Sequence, residues 1–147
     1  MKIDAKDKKI INVLIDNCRL SYRQIAKKCK LNVVTVINRV RKLEEEGVIK
    51  KYSVSLDYNK LGYDFPVIVD ARVLKGEEVE IGERIFNHPN ICSVYDVTGD
   101  FDLSILARFK TRKGLDEFIK SLPKREFIVR TNTRLIINTI KEGNLKV

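Results

Sequence analysis

Along this 147-residue chain the spacing of apolar residues constrains the fold more than anything else in the sequence. Up to Gly47 they recur every three or four positions, and from Val67 onward alternating stretches appear between helical ones. A helix buries a stripe of period 3.6 and a strand a face of period 2, so neither pattern serves the other element. Two architectures must therefore follow one another. The turn formers of Asp57–Asp64, DYNKLGYD, mark the junction. The organisation read from this is a helical domain over 1–56, a linker over 57–64 and an α+β domain over 65–147.

Three helices are expected in the front part. The first runs over Asp4–Cys18, with Asp4 as N-cap and Asp7 three positions on, a carboxylate variant of the capping box. Its stripe is Ile10, Ile11, Leu14 and Cys18. Ser21 and Gln24 form a second capping box, and Tyr22, Ile25, Ala26 and Cys29 share a face behind it. Asn32 caps a third helix from Val33 to about Glu46, ended by Gly47. Val48–Leu56 is β-branched and partly alternating, which predicts a strand of the kind that forms a wing.

The third helix carries the chemistry. Val33, Val36, Ile37, Val40 and Leu43 cover one arc, while Thr35, Asn38, Arg39 and Lys42 fill the opposite one. Hydroxyl, amide and guanidinium groups are what base edges in the major groove are read by. Two short helices joined by a turn of about three residues, the second polar and basic outside, is the helix-turn-helix pattern. Charge agrees with this. Residues 1–60 hold 15 Lys and Arg against 7 Asp and Glu, whereas residues 61–147 hold 14 against 13. The excess of a +9 chain therefore lies in front, where a polyanion would meet it. Thr35, Asn38 and Arg39 are expected at base edges with Lys42 nearer the backbone. Arg23, Gln24, Lys28, Lys50 and Lys51 are expected on phosphates. A merely solvated basic surface is the alternative for these lysines.

Behind the linker the expected order is β-α-β-β-α-β, a ferredoxin-like arrangement. Strands are expected over Phe65–Leu74, Ile91–Thr98, Phe101–Lys110 and Glu126–Ile140. Helices are expected over Glu78–Asn87 and from the Thr111 cap to Pro123. Gly99-Asp100 reads as a tight hairpin turn. Helices cover one face of such a sheet, yet Ile68/Val69 and Ile136/Ile137 put apolar residues on both. The open face is then expected to be buried against a second copy, giving a homodimer through residues 65–147.

Other classes fit less well. No stretch reaches the roughly 18 uninterrupted apolar residues of a membrane span. The opening MKIDAKDKK has no apolar core of signal-peptide type, so a cytoplasmic protein is expected. Cys18, Cys29 and Cys92 are too far apart for a zinc pair, and His88 is the only histidine, so neither a metal nor another cofactor is expected. Catalysis is not expected either, since there is no phosphate loop and no nucleophile beside a base. An RNA-binding sheet would carry stacking aromatics on its open face, where these strands offer mostly Val, Ile and Leu.

Three strings in order resemble the Lrp/AsnC family of leucine-responsive and asparagine-synthase regulators, also called feast/famine regulators. They are Asp4-x-x-Asp7-x-x-Ile10-Ile11 with Arg19-x-Ser21, then Arg39-Val40-x-x-Leu43-Glu44-x-x-Gly47-Val48-Ile49, then His88-Pro89 with Val94 and Val97-Thr98-Gly99-Asp100-Phe101-Asp102-Leu103. The resemblance implies a winged helix followed by a ferredoxin-like, amino-acid-sensing domain, and dimers that assemble into tetramers or octamers. It places an amino-acid effector beside the hairpin, at Thr98, Gly99, Asp100 and Asp102 and at Thr131 and Thr133 on the last strand. Hydroxyls and backbone N–H groups there suit a carboxylate, and acids suit an α-amino group. The alternative is that Gly99-Asp100 only turns a hairpin. An architectural, weakly sequence-specific DNA binder without effector remains the other functional reading. Asn32-Val33-Val34 stands where the family often has a Ser-Pro pair, which leaves the cap intact but alters the base contacts. The single glutamine, the lack of tryptophan and the abundance of Lys, Ile and Glu point to an archaeal or thermophilic source.

Overall fold

The structure, a computed structural model, describes residues 2–74, 87–122 and 127–147. It divides into two compact units, Met1–Leu56 with Lys141–Val147, and Asp57–Ile140. Residues 141–147 thus go with the first unit, whereas the sequence reading kept them with the second.

In the first unit, α1 spans Ala5–Asp16, α2 Tyr22–Cys29 and α3 Val33–Glu45. Each starts where its cap dictates. The Asp4 carboxylate accepts from the Lys6 and Asp7 N–H groups at 2.7 and 2.9 Å, and Asp7 accepts from the Asp4 N–H in return at 3.0 Å. Ser21 and Gln24 repeat that exchange at α2. Asn32 Oδ1 takes the Val34 N–H at 2.7 Å. Between α2 and α3, Lys30 adopts a left-handed conformation (φ 55°), and the Leu31 N–H closes back on the Ala26 carbonyl at 2.9 Å. Ile10, Ile25, Ala26, Cys29, Val36 and Val40 form the core.

One ion pair joins the ends of this bundle. Arg39 Nη1 on α3 donates to Asp7 Oδ1 at 2.7 Å and to Asp4 Oδ2 at 2.8 Å, and Asp7 is fully buried. The Asp7 N–H and then the guanidinium hold the Asp4 carboxyl at about 2, well below the usual carboxylate range.

Val48–Leu56, expected as a strand, pairs with no described residue. A strand exists only through its ladder, and the described chain places no second strand beside this segment. It is held from its flanks instead. The Ile49 N–H reaches the Leu43 carbonyl at 3.0 Å, the Tyr52 hydroxyl donates to Glu44 at 2.6 Å, and the Cys18 thiol meets the Ser53 carbonyl at 3.6 Å.

The second unit is a four-stranded antiparallel sheet in the order β2-β3-β1-β4, the ferredoxin-like order. Its strands are β1 Phe65–Val73, β2 Ile91–Asp96, β3 Leu103–Phe109 and β4 Ile128–Leu135. Helix α4, Arg112–Ser121, follows the Thr111 cap. The helix expected over Glu78–Asn87 and the stop expected at Pro123 lie outside the described residues, Asn87 excepted. Val67, Val69, Ala71, Leu103, Ile105, Ala107 and Phe109 supply the core face, closed by Phe118 and Leu122.

Three expectations need correcting here. The last strand stops at Leu135 rather than Ile140, because its partner β1 begins at Phe65 and the Ile136 N–H takes the last carbonyl on offer, Pro66, at 2.8 Å. Beyond it, Ile137 and Ile140 are 87% and 98% exposed. The hairpin is no tight two-residue turn. Residues 97–102 form a six-residue connection, because Asp102 is pulled onto the end of β1: its N–H donates to the Ala71 carbonyl and its carboxylate accepts the Val73 N–H at 2.8 Å. The open face is also less apolar than expected. Beside Ile68 and Leu106 it carries Asp70, Arg72, Ser104, Arg130, Asn132 and Arg134. At its centre, Asp70 accepts from Ser104 Oγ at 2.9 Å and from Arg134 at 2.6 Å.

Removing the charged hydrogen bond to a buried carboxylate costs about 1.5–3 kcal/mol. Arg39→Ala is therefore expected to lower the urea midpoint of the first unit accordingly, read by helical circular dichroism. Asp4 has a depressed folded pKa, so its contribution is complete above the unfolded value, about 4, and is lost as pH falls through about 2. The stability of the wild-type chain should drop across that window more steeply than that of Asp4→Asn. Lys30→Gly relieves the left-handed cost and should raise stability by about 1 kcal/mol in the same assay; a decrease would show that Lys30 makes an offsetting contact.

Candidate DNA interface and effector site

On α3, Thr35, Asn38 and Lys42 line one shallow depression together with Lys2, Asp4, Asp7 and Arg39. Asn38 and Lys42 are exposed and Thr35 is half-buried. Arg39 is different. Its Nη1 is held by Asp4 and Asp7, which stands against the expectation that it reaches a base edge: with a buried carboxylate as partner, leaving the pair would strand that charge. Gln24 is also partly committed. Its Oε1 accepts from both the Ser21 N–H and the Ser21 Oγ, leaving its amide nitrogen for a phosphate.

The remaining cations are available. Arg23 and Lys28 on α2, Lys42 on α3, and Lys50 and Lys51 after it are exposed and make no ion pair with a described residue. Burial first, then the Glu44 carboxylate, push the Tyr52 phenol up, so it stays a donor and keeps the segment carrying Lys50 and Lys51 on α3. One residue escaped the sequence reading. Val34, in the first turn of α3, is 62% exposed although apolar. It lies about 60° outside the core arc at 100° per residue, which was the available signal. A methyl group there suits a thymine methyl.

In the second unit Thr98, Gly99 and Asp100 are exposed on the 97–102 connection, where Gly99 has a positive φ of 118° that favours glycine. Thr131 and Thr133 stand opposite Ala71 and Val69, on the helix side of edge strand β4. The row through Asp96, Leu103, Ala71 and Thr131 puts hairpin and Thr131 at one end of the sheet. Leu103 and Thr131 are two strand spacings apart, about 10 Å. Asp102 is held by β1 and is not a free carboxylate. Arg130, unnoticed in the sequence, lies over the Phe101 ring at 5.0 Å and adds a cation at this end. Its signal is its place one position before Thr131. Of the cysteines, Cys29 is core and Cys92 exposed. Among the described residues no three metal-ligating side chains cluster, and no helix is long and apolar enough to cross a membrane.

Known proteins match both units. Residues 3–50 match the winged helix-turn-helix DNA-binding family and residues 67–145 the Lrp/AsnC ligand binding domain. An uncharacterised HTH-type transcriptional regulator of Pyrococcus furiosus is 40% identical over 97% of this chain and 96% of its own. The HTH-type transcriptional regulator FL11 of Pyrococcus horikoshii is 33% identical over 95% and 93%. Among solved structures, LrpC of B. subtilis superposes with a TM-score of 0.86 at 31% identity, covering 96% of this chain and 99% of its own. A Neisseria meningitidis transcriptional regulator in complex with L-Met shares the fold (TM-score 0.89) at 20% identity, over 97% and 94%. With a DNA-binding helix-turn-helix in front and this ligand-binding domain behind, matched along nearly the whole chain, the protein belongs to the Lrp/AsnC family of transcriptional regulators.

Proposed function

We propose that the chain acts in the cytoplasm as a homodimer, joined through its second unit, that reads a pseudo-palindromic DNA site and answers to an amino acid. Two copies of α3 enter successive major grooves about one helical turn (~34 Å) apart. Val34, Thr35 and Asn38 meet base edges. Lys42, Arg23, Lys28, the Gln24 amide, Lys50 and Lys51 hold phosphates, which position the protein without specifying sequence. The observation that carries this reading is the contrast on one unit between Arg39, whose Nη1 is held by two carboxylates, and five exposed cations with no ion pair to a described residue. The role is regulatory and no catalytic step is proposed.

The effector reading rests on Thr98, Gly99, Asp100 and Thr131 sharing one end of the sheet, with Thr133 one row further in on the same face of β4; Asp100 suits an α-amino group, and Arg130, on the other face of β4, adds a cation at that end. The Neisseria regulator was solved with L-Met, and an amino acid of that kind is the ligand class proposed here. Dimers meeting at that end would make tetramers or octamers. Ile68 and Leu106 on the open face, with the Asp70–Arg134 pair between strands, supply the dimer contact. Architectural binding with weak sequence preference is a second reading, favoured by one observation: the Arg39 guanidinium is paired with Asp4 and Asp7.

Selection from a randomised DNA pool at physiological salt decides between the two. Enrichment of a pseudo-palindrome supports the first, and retention without a motif supports the second. Asn38→Ala should relax the enriched motif at one position per half-site, at a cost of about 1–3 kcal/mol. Lys51→Ala should weaken all sequences alike and reduce the salt slope by about one. For the effector, light scattering with each amino acid in turn should find one that changes assembly size, and Asp100→Ala should abolish that change. A variant that still responds would remove Asp100 from the site.

A further inference from the structure

Residues 141–147 are attached to α1 by polar contacts. Asn12 Nδ2 donates to the Val147 carbonyl oxygen at 2.7 Å, and the Val147 N–H donates to Asn12 Oδ1 at 2.9 Å, so one side chain holds both backbone polar groups of one residue. One position earlier in the chain, Lys146 pairs with Asp16, one turn along α1 from Asn12, at 2.8 Å. Asn144, Leu145 and Val147 line one groove with Ile11, Leu14 and Ile15 of α1, with Cys18 just after it and with residues 48–53. That groove therefore contains Lys50 and Lys51, on the segment that has no strand partner. We infer that residues 141–147 are a strap, and that Asn12 and Asp16 are positioning residues for DNA binding: by seating the strap on α1 they brace the segment that presents Lys50 and Lys51 to phosphate. This rests on the reading of those two lysines as phosphate contacts.

Physical magnitudes favour a brace that can be released. Leu145 is 84% exposed, so little apolar surface is buried and polar contacts carry the attachment. A surface ion pair and a few hydrogen bonds leave the detached form a minor but real population. The connection is also direct. Five residues, 136–140, separate the strap from β4, the strand with Thr131 and Thr133. A ligand that shifts β4 pulls on the strap through a short piece of chain. The two units are thereby linked by two lengths of chain, around residue 56 and around residue 140, instead of one.

The test is the salt dependence of affinity for random-sequence DNA, measured on the full chain for wild type, Lys51→Ala, Asn12→Ala and the double variant. Asn12→Ala carries no charge change and lies off the DNA-reading helix. Its salt slope should fall by about one to two. In the Lys51→Ala background the same substitution should do less, because the two act through one contact. Hydrogen exchange should show faster exchange at residues 49–53 with the α1 amides still protected. Should Asn12→Ala unfold α1, a chain ended at Ile140 carries the test with α1 unaltered. A slope equal to wild type in Asn12→Ala, or full additivity with Lys51→Ala, overturns the strap. Tighter DNA binding overturns it too, since the segment would then be covering the lysines. If Lys51→Ala itself leaves the slope unchanged, the phosphate reading fails and the strap falls with it; a lowered slope in Lys51→Ala alone leaves that reading standing and rejects only the strap.

Discussion

The buried Asp7 carboxylate and the Arg39 guanidinium that neutralises it set the geometry of the DNA-reading unit. Asp7 Oδ2 closes the cap of α1 and Oδ1 takes Arg39 from α3, so the start of one helix is joined to the middle of another. A carboxylate in the first turn is favoured by the helix dipole, but burial makes it depend on a cation. That cation comes from one position past Asn38, which fixes the rotation of α3 and hence the direction of Thr35 and Asn38. A second consequence is electrostatic. Asp4 and Asp7 lie in the same depression as the proposed base readers, where bare acids would repel phosphate. Arg39 offsets one of these two charges there.

Local signals were the legible ones. Asp4, Ser21, Asn32 and Thr111 each cap the helix expected of them, because a cap is decided by the few residues that follow it. The core strands β1 and β3 follow their alternation closely, since each is paired on both sides and buried on one face. Strand order too was implied by the sequence of elements. The apolar arc of α3 gave the buried face correctly, and with it the position of Asn38 and Lys42 opposite.

What failed depends in each case on a partner far along the chain. Arg39 looks exposed by periodicity, and only Asp4 and Asp7, more than thirty positions earlier, show otherwise. Asp102 looks like a hairpin carboxylate until the Val73 N–H claims it. Val48–Leu56 has the composition of a strand, but composition cannot provide the second strand. The length of β4 is set by where β1 begins, which is a property of Phe65 and not of Ile137. The return of residues 141–147 to α1 left no trace in periodicity at all, since two hydrogen bonds to Asn12 require no pattern.

The charge asymmetry seen in the sequence acquires a structural meaning once each cation is traced to its neighbours. In the second unit they are largely engaged internally. Arg108 lies over Tyr58, Lys110 over Tyr63 and Arg130 over Phe101, while Arg134 pairs with Asp70. On α4, Lys113 and Lys120 face Glu117 and Asp116 one turn away. The first unit does the reverse. Arg39 serves the fold, and the acids of α3 are gathered at Glu44–Glu46, a full turn beyond Asn38. Arg23, Lys28, Lys42, Lys50 and Lys51 make no such pair with a described residue, at the energetic cost of their mutual repulsion. A polyanion relieves that repulsion and releases its own counterions on binding. The near-neutral second unit gains nothing comparable, so in the proposed reading electrostatics favours the first unit, and not the sheet, as the side that meets DNA.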